Sequence, residues 1–479
     1  MLGSGKYLVF PPGPGTIGQF SRGAVVVEWR IKLEARSGWG EIETIEVAHF
    51  KRRVVGLTAE EVGLSLEEAK QVLAELQRLV LQTQMEEYTV CSRVCPACLK
   101  MRRQRDCRTR TIQTLFGTVT VAAPRISICP CSNTMGFVDL SFSSLADLLP
   151  DRCTPELRRI QAELGARHSF REAGRLLSTL LPCSPANHAM MRNRTHRVAA
   201  EVEASSNAEP AGQSLSNKET VVMIDGAHIR AVPGHQSRHL DVTVGKIEVA
   251  GRKPRRFAFA PKGADRPIDI LRAALGAQGW RPGQRVTVIS DGEAVLPNLV
   301  RVATREPMRH ILDWFHLSMR MRPIEQMLLG LSGRDLRDIR PLQAAQRSIE
   351  HVRHLLWHGR PAQADQELVH FACHAENVAY SGAEPEQVVM RDLLRHCSEL
   401  RGYVRNNRTS IVSYHRRYHS DRPVSTSRAE GCVDEIANAR MGKRQRMRWS
   451  PRGAHRVAIV RAAVLDDRLG ATSCDRMAA

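Results

Sequence analysis

The sequence is poor in long apolar runs, in acidic residues and in lysine. No apolar run is long enough to cross a bilayer, which argues against an integral membrane protein. The amino-terminal residues lack the basic, apolar and small-residue regions of a secretion signal. Asp and Glu number 50 against 70 Lys and Arg, so the formal net charge is +20 and the pI is about 10. This imbalance favours a polyanionic partner, of which nucleic acid is the most common.

Arginine supplies most of the positive charge, with 60 of the 70 basic residues. Its planar guanidinium fits phosphate oxygens and guanine edges, although a GC-rich genome would also enrich arginine codons. The 12 cysteines are spread unevenly and do not have the spacing of a disulfide framework. We therefore expect a reducing, cytoplasmic setting in which some of the cysteines bind metal.

The chain has 479 residues, which is too long for one ordinary domain. Changes in composition and periodicity predict seven segments. These are a region of uncertain fold over 1–88 with a helix at 66–88, a zinc-ribbon-like segment over 89–140, a helical region over 141–204, a linker over 205–218, an α/β core over 219–316, a helical insertion over 317–424, and a final helix with a basic segment over 425–479.

Two cysteine pairs flank a β-rich stretch at 111–121 and predict a zinc ribbon. Thiolates suit tetrahedral Zn²⁺, and a short spacing lets one turn supply two ligands. The second pair is spaced C-x-C, which is tighter than the usual C-x-x-C, so Cys91 and Cys107 stay open as substitute ligands. Free buried cysteines are the alternative interpretation. The predicted ligands of a structural zinc are Cys95, Cys98, Cys129 and Cys131.

Three short helices are predicted between residues 153 and 204. The first spans 155–164, the second opens with the capping box Ser169-Phe-Arg-Glu172, and the third opens at Ser184-Pro185. Three helices with a basic last one resemble a helix-turn-helix, whose final helix enters the major groove. A helical connector with a solvated basic face is the alternative. The residues predicted to contact DNA here are Arg192, Arg194 and Arg197.

Two acids follow apolar β runs in the next segment. Asp225 ends the run 221–224 and Asp291 ends the run 286–290. The predicted order of elements is three strands, a helix, a strand, a helix and a strand, which is the order of a ribonuclease H-like fold. Its first and fourth strands are central neighbours, so acids at their ends would meet and could hold two divalent cations. Because both acids precede glycine, turns that end the strands are the alternative.

A third acid, Glu430, lies on a predicted helix after the helical insertion. Ser427-x-x-Glu430 is also a capping box, so Glu430 could instead cap that helix. Asp434 is the rival third ligand, since it lies one helical turn further on the same face. Glu435 lies off that face and is the weaker candidate.

Basic residues follow Glu430 closely. A solvated basic face is the common reading of such a run, but phosphate contact is expected beside a catalytic helix, and an indole there could stack on an unpaired base. The residues predicted to contact DNA in this segment are Lys443, Arg444, Arg446, Arg448 and Trp449.

Four motifs together resemble those of bacterial insertion-sequence transposases of the Kra type, within the Mutator-like DDE group. They are Val-Ile-Ser-Asp291-Gly-Glu-Ala, His310-Ile-Leu-Asp313-Trp-Phe-His316-Leu, Ser427-Arg-Ala-Glu430 and Gln445-Arg-Met-Arg-Trp449-Ser-Pro-Arg-Gly-Ala454. The resemblance extends from about Cys95 to Leu469 and includes the cysteine pairs, although the C-x-C half departs from the usual ribbon.

The resemblance implies an α/β protein with a ribonuclease H-like catalytic domain, a helical insertion, and a preceding zinc ribbon and helix-turn-helix. Asp225, Asp291 and Glu430 would be the DDE triad, holding two Mg²⁺ or Mn²⁺ ions. Asp313 and His316 match the group's signature of an acid or cysteine, two residues and a histidine. The expected partner is double-stranded DNA, as terminal inverted repeats and as target.

The same resemblance implies a homo-oligomer on DNA, near the bacterial nucleoid and with no membrane association. Two alternatives remain open. One is a ribonuclease H-like nuclease or resolvase that cuts without joining. The other is a DNA-binding regulator with a zinc site, a helix-turn-helix and a decayed catalytic domain.

Overall fold

The structure is a computed structural model, and it describes most of the chain. The described residues are 26–36, 40, 42–53, 57–132, 140–183, 186–209, 211–214, 218–332, 339–381, 384–426 and 431–470. The fold is mixed α/β and divides into two compact units. Unit 1 is Met1–Leu157 with Leu177–Ser184, and unit 2 is Arg158–Leu176 with Pro185–Ala479. Among the described helices, none combines the length and apolarity that crossing a membrane requires.

Unit 1 is built from two hairpins and a long helix. Its elements are β1 (Val26–Arg36), β2 (Ile42–Arg53), α1 (Leu66–Cys91), β3 (Gln104–Thr114), β4 (Gly117–Ser127), β5 (Ser141–Phe142) and α2 (Ser144–Leu148). The predicted helix at 66–88 is confirmed as α1, because Ser65 and Glu68 form a capping box at its start. The predicted hairpin between the cysteine pairs is confirmed as the antiparallel pair β3–β4, whose apolar residues pack on α1.

Three helices follow, and the division between the units falls within the first two. They are α3 (Pro155–Arg167), α4 (Phe170–Leu180) and α5 (His188–Ala208). The predicted capping box is partly confirmed, since the hydroxyl of Ser169 accepts from the amide of Glu172 at 3.2 Å. The predicted start of the third helix is wrong: Asn187 caps it by accepting from the amide of Met190. Ser184-Pro185 lies outside the described residues.

Helix α5 also runs further than predicted and takes the first four residues of the predicted linker over 205–218. The linker assignment failed there because the serines and the alanine of this stretch are tolerated in a helix end that needs no apolar face. Residues 211–214 have no regular structure, and 215–217 lie outside the described residues.

The core of unit 2 is a five-stranded sheet with the order β10-β9-β6-β7-β8. The strands are β6 (Thr220–Arg230), β7 (His239–Val249), β8 (Arg255–Phe259), β9 (Val286–Ser290) and β10 (Met308–Leu312), with α6 (Pro267–Ala277) between β8 and β9 and α7 (Val295–Thr304) between β9 and β10. β6, β7 and β8 pair antiparallel, whereas β9 and β10 run parallel to β6. The predicted order of strands and helices is confirmed.

Asp225 lies inside β6, and not at its end as predicted. β6 pairs with β7 along its whole length as far as Arg230, because apolar residues continue to alternate on one face. Its pairing with β9 stops at Met223. Asp225 is therefore the second residue beyond the β9 pairing, in a strand that is still held by β7.

The remaining helices of unit 2 follow the last strand of the sheet in the sequence. They are α8 (Trp314–Ser332), α9 (Arg340–Trp357), α10 (Pro361–Ser381), α11 (Glu384–Asn406), α12 (Tyr414–His419), a π-helical turn (Val433–Asn438) that continues into α13 (Ala439–Met441), and α14 (Pro451–Leu465). The predicted helical character of residues 317–424 is confirmed by α8 to α12 for the part of this range that the structure describes. The strand predicted to reach Trp314 ends at Leu312, because Trp314 opens α8.

The two faces of the sheet are covered differently. α6 and α7 cover one face through a core that includes Ile224. The other face carries two separate cores. Met223 packs with α8 to α12, whereas Ala227 packs with the π-helical turn and α14. Asp225 lies between these two residues on the same face, so it occupies the seam between the two cores.

Candidate functional site

Three carboxylates lie within or directly after three neighbouring strands: Asp225 is inside β6, whereas Asp291 and Asp313 directly follow β9 and β10. Met223 of β6 pairs with Ile289 of β9, and Ile289 pairs with Ile311 of β10. Residues two positions apart point to the same face of a strand, and neighbouring strands lie about 4.8 Å apart. Each of these apolar residues is followed two positions later by an acid. We call these acids the carboxylate row: Asp225, Asp291 and Asp313.

The electrostatics of Asp225 reflect this crowding. Burial raises the pKa of its carboxyl group, and the charges of Asp291 and Asp313 raise it further. The amide of Gly226, which donates to Asp225 Oδ1 at 2.7 Å, and the nearby His316 lower the pKa but do not offset the rise. Asp225 is thus a half-buried acid whose negative charge is incompletely compensated by the protein.

Asp291 is held by its neighbours in sequence and by α11. Its Oδ1 accepts from the amide of Glu293 at 3.2 Å. Gly292 is in close contact with the end of α11: a Cβ at this position would lie 2.7 Å from a ring carbon of Tyr403 and 2.8 Å from the side-chain nitrogen of Asn407. The glycine after Asp291 is therefore required by this close approach and is more than a turn residue.

A chain of polar side chains supports the backbone just before Asp291. Ser290, which is fully buried, lies 3.0 Å from His310 Nε2, and His310 Nδ1 lies 2.8 Å from the hydroxyl of Ser410. Burial lowers the pKa of His310, with a small opposing effect of Asp291. A neutral imidazole accordingly links β9, β10 and the segment before α12.

Asp313 is fully buried and fully engaged. Its carboxylate accepts from the amide of Phe315 at 2.8 Å, from His316 Nδ1 at 2.7 Å and from the hydroxyl of Thr426. Burial would raise the pKa of Asp313, but these hydrogen bonds outweigh it and hold the pKa below its usual value. Asp313 therefore has little capacity left to bind a metal and instead orients His316.

His316 is the cationic counterpart of the row. Its hydrogen bond to Asp313 raises the pKa of the imidazole against the opposing effect of burial, and the charges of Asp225 and Asp291 raise it further. The side chain is one third exposed, at 33%. A half-buried imidazole that interacts with all three acids is suited to hold or transfer a proton beside them.

Glu430 lies outside the described residues, so the structure does not test it. Thr426, four positions before it, donates to Asp313, and Cys432, two positions after it, is buried in the core that contains Ala227. The residues on either side of Glu430 in the sequence therefore contact the row and the adjacent core.

The two rival acids have different surroundings. Asp434 is exposed and accepts from Asn438 Nδ2 at 2.7 Å, whereas Glu435 forms an ion pair with Arg256 at 3.3 Å. The turn that carries them is π-helical, and the amide of Ala439 donates to the carbonyl of Asp434. Asp434 thus begins a π-helical turn toward Ala439, whereas its spacing from Glu430 lies partly outside the described residues.

The cysteine cluster of unit 1 consists of Cys95, Cys98, Cys129 and Cys131, and it could hold a structural zinc. Its four sulfur atoms all lie within 4.8 Å of one another. Neighbouring sulfurs are 3.2–3.5 Å apart, slightly less than the spacing of about 3.8 Å in a tetrahedral Zn²⁺ site. The predicted ligand set is thus brought together. Cys91 and Cys107 are exposed and lie outside this cluster.

The backbone favours the thiolate form of Cys95. Amides of Cys98 and Ala97 donate to its sulfur and, with Cys131, lower the pKa of the thiol to about 6. Leu99 adopts a left-handed conformation, with φ of 58°, which closes the turn that directs these amides inward. A thiolate prepared by backbone donors is what a metal ligand requires.

The basic residues predicted on α5 have mixed surroundings. Arg192 and Arg197 are exposed, whereas Arg194 is half-buried and donates to the side chain of Gln161 on α3. Burial, together with Arg192 and two arginines of α14, lowers the pKa of His196 to about 4. The helix thus presents a positively charged surface beside a neutral histidine.

The basic segment after the π-helical turn is also divided. Arg444, Arg446 and Arg448 are exposed, and the side chain of Lys443 lies outside the described residues. Trp449 is only 6% exposed. The prediction that its indole stacks on an unpaired base is wrong, because the ring is packed in the core that contains Ala227.

Trp449 has a structural role that explains its burial. Its amide donates to the carbonyl of Arg230 at 2.9 Å, and its carbonyl accepts from the amide of Val232 at 3.0 Å. The guanidinium of the buried Arg440 lies 5.0 Å from its ring centre. The residue thus ties the basic segment to the end of β6.

Sequence reasoning missed three supporting residues. Thr426 reaches Asp313 across 113 positions, and Ser410 reaches His310 across 100. Neither contact has a local sequence signal. His310 lies inside a motif quoted above, so its proximity to the row had a signal, but its role in the hydrogen-bonded chain did not.

No protein-family model matches the chain, and no curated protein matches it in sequence.

Proposed function

We propose that this chain is a DDE-type DNA transposase with a ribonuclease H-like catalytic domain. The carboxylate row is the observation that carries the proposal, because acids from neighbouring strands converge on one face of a sheet. The strand order supports it as well: β6 is central, β7 and β8 are antiparallel to it and β9 and β10 are parallel. The proposed triad is Asp225, Asp291 and Glu430.

The donor set fits hard divalent cations. Carboxylate oxygens are the ligands that Mg²⁺ and Mn²⁺ prefer. The raised pKa of Asp225 marks a site where added positive charge would relieve repulsion. Asp225, Asp291 and Glu430 would hold two such ions, which would stabilise charge on the attacking and leaving oxygens of a phosphodiester displacement.

Asp313 and His316 have a different role in this proposal. Asp313 is a positioning residue, because its oxygens are engaged by His316, Thr426 and the amide of Phe315. His316 contributes a positive charge and a proton beside Asp225 and Asp291. The positive charge of His316 would balance the negative charges of the acids and of a DNA strand while that strand binds to the site and dissociates from it.

Several features support DNA as the substrate. The net charge of +20 favours a polyanion. Exposed arginines lie on α5 and after the π-helical turn, and α3 to α5 are three consecutive helices of which the last is basic, as the proposed helix-turn-helix requires. The proposed partners are the terminal inverted repeats and the target DNA, bound by a homo-oligomer. The zinc ribbon would stabilise the amino-terminal unit.

The proposed reaction has two steps of the same chemistry. Water displaces a 3′-oxygen at the element end, and the freed 3′-hydroxyl then attacks a phosphodiester of the target. The second step forms one P–O bond and breaks another, so it needs no external energy source. No covalent bond to the protein is required.

The test uses the full chain, Mn²⁺ or Mg²⁺, and duplexes taken from the DNA that flanks the gene. Cleavage is measured by nicking, and joining is measured with pre-cut ends that carry a 3′-hydroxyl. Asp225→Asn and Asp291→Asn should each lower both by about 10³-fold or more, the scale of a lost electrostatic contact in an active site. DNA binding should be retained. Asp241→Asn is the matched control, since Asp241 is an exposed acid of the same sheet.

The third acid is tested by Glu430→Gln against Asp434→Asn. The proposal expects the first to be inactive and the second to be active. The reverse result would move the third ligand to Asp434. Cleavage without joining would identify a nuclease or resolvase, and metal-independent binding without cleavage would identify a regulator. Persistent cleavage by all three triad variants would refute the metal-site interpretation.

A further inference from the structure

A group of four histidines lies at the carboxyl end of α9 and on α12, and none of them belongs to the carboxylate row or the cysteine cluster. Its members are His354, His358, His415 and His419. The ring centres of His354 and His358 are 4.3 Å apart, those of His358 and His415 are 4.6 Å apart, and those of His415 and His419 are 4.3 Å apart. The four rings thus form a continuous series across two helices.

The spacing within each helix suits a common ligand. His354 and His358 are four positions apart, and so are His415 and His419, which puts each pair on one helical face. The amide of His358 donates to the carbonyl of His354 at 3.1 Å, so the helical turn extends to this residue. Each pair could therefore contribute two nitrogen ligands without a change of backbone.

The two helix ends are held together by tight packing. A Cβ on Gly359 would lie 2.6 Å from the amide nitrogen of Ser413, so only glycine allows this approach. The ring of Trp357 lies 6.1 Å from that of Tyr414 and 6.0 Å from that of Tyr418. The backbones that carry the two histidine pairs are thus fixed relative to each other.

The four imidazoles are not committed to acidic partners. His351, earlier on α9, forms an ion pair with Glu367 at 3.6 Å, but in the described part of the chain none of the four does so. A metal ion would therefore not have to compete with a carboxylate for any of these four rings. A neutral imidazole is the form that binds metal.

We propose that His354, His358, His415 and His419 form a binding site for one late first-row divalent cation, such as Zn²⁺, Ni²⁺ or Cu²⁺. Imidazole nitrogen suits these ions, whereas Mg²⁺ requires oxygen ligands. The ring nitrogens are not gathered within 4.8 Å of one another as the cysteine sulfurs are. Binding therefore requires rotation of side chains, which is open to the exposed His354 and His419. The ion would clamp the end of α9 to α12.

The experiment uses the full chain, purified without a polyhistidine tag and with the cysteine cluster saturated with zinc. Ni²⁺ is titrated by calorimetry in excess Mg²⁺, which occupies oxygen sites and should not compete. We expect one additional equivalent of Ni²⁺. His354→Gln with His419→Gln should weaken it by at least about tenfold, since even outer partners of metal ligands contribute on that scale.

The matched control is His370→Ala with His374→Ala, which removes another pair of histidines spaced by four positions on α10 and should leave the affinity unchanged. A second variant, His358→Gln with His415→Gln, removes one ligand from each helix and should have the same effect as the first. Thermal unfolding of each variant without Ni²⁺ verifies the fold. Absence of the additional equivalent in the wild type, or wild-type Ni²⁺ affinity in both cluster variants, would overturn the proposal.

Discussion

The cysteine cluster and the carboxylate row are both groups of acidic side chains brought together by the backbone, but their electrostatics are opposite. In the cluster, backbone amides lower the pKa of Cys95 and stabilise its thiolate. In the row, burial and like charges raise the pKa of Asp225. The protein therefore stabilises the negative charge of the cysteine cluster before a metal binds. In the carboxylate row, part of the repulsion between the negative charges remains.

Under the proposed function, this difference corresponds to the distinction between a structural and a reactive site. A structural metal site contributes folding free energy, so its ligands are best prepared and closed. A reactive site must bind substrate and metal reversibly, so it retains charge that the protein does not compensate. His316 supplies only one positive charge to three acids, and Asp313 takes its hydrogen bond.

The largest effect is expected from the cysteine cluster. Cys98→Ser should lose one zinc per chain and unfold unit 1, because structural zinc in small sites binds with an apparent free energy of about 10–16 kcal/mol. Metal analysis after dialysis and circular dichroism measure the two losses. Cys107→Ser, which alters an exposed cysteine outside the cluster, should change neither. If the native protein retains no zinc after dialysis, the cysteine cluster is not a structural metal site, and the contrast with the carboxylate row no longer holds.

A smaller effect on stability and a large one on activity are expected at His316. His316→Ala removes one of three donors to the buried Asp313 and should cost about 1–3 kcal/mol. His316→Gln restores a donor and should recover most of this stability. Both should lower cleavage by about 10²-fold or more, if the imidazole transfers a proton or supplies charge. Full activity of His316→Gln would show that His316 only donates a structural hydrogen bond to Asp313.

The pH dependence follows from the same residue. Because the pKa of His316 is raised above 6.5 in the folded state, its contribution to stability is complete below about pH 6.5 and is lost as the pH rises through the folded value. The difference in unfolding free energy between wild type and His316→Gln, measured by denaturant titration, should therefore shrink as the pH rises. A difference that grows with pH would contradict the assigned hydrogen bond.

A modest stabilisation is expected at Asp225. Its folded-state pKa is raised above 3.8, so ionisation disfavours the fold, and the penalty grows as the pH rises through the folded value. Asp225→Asn should therefore raise the stability at pH 7 by on the order of 1 kcal/mol while abolishing cleavage. The gain should vanish near pH 3.8, as differential scanning calorimetry can measure. Destabilisation at pH 7 would show that Asp225 is compensated, like Cys95.

The smallest effect is expected from single exposed arginines. Arg446→Ala should reduce the slope of log affinity against log salt by about 0.9, the contribution of one phosphate contact. Affinity for a duplex at several salt concentrations gives this slope. Arg36→Ala, at the end of an exposed strand in unit 1, serves as the control. An unchanged slope for Arg446→Ala would mean that this segment does not contact phosphate.

Local patterns predicted the elements well. Alternating apolar residues marked β7 from His239 to Val249, and apolar residues at helical spacing marked α1 from Leu66. The pattern failed where tertiary pairing decided the outcome. β6 continues past Asp225 because β7 remains its partner, although the apolar run breaks at the acid.

The sequence predicted which residues form the candidate site better than it predicted the role of each residue. Asp225, Asp291 and Asp313 could be selected from sequence, but their common register depends on which strands become neighbours. Trp449 lies among arginines in the sequence, and this local pattern predicts a surface residue. Its burial follows from backbone pairing with Arg230, which no local pattern encodes.

The π-helical turn at Val433–Asn438 has a geometric consequence for the residue directly before it. Such a turn contains one residue more than the α-helical turn it replaces, and each residue of an α-helix advances the side-chain direction by about 100°. Ile436 and Ala437 are anchored in the core. The extra residue therefore acts as a fixed angular offset between these two residues and Cys432, which directly precedes the turn and is buried in the same core.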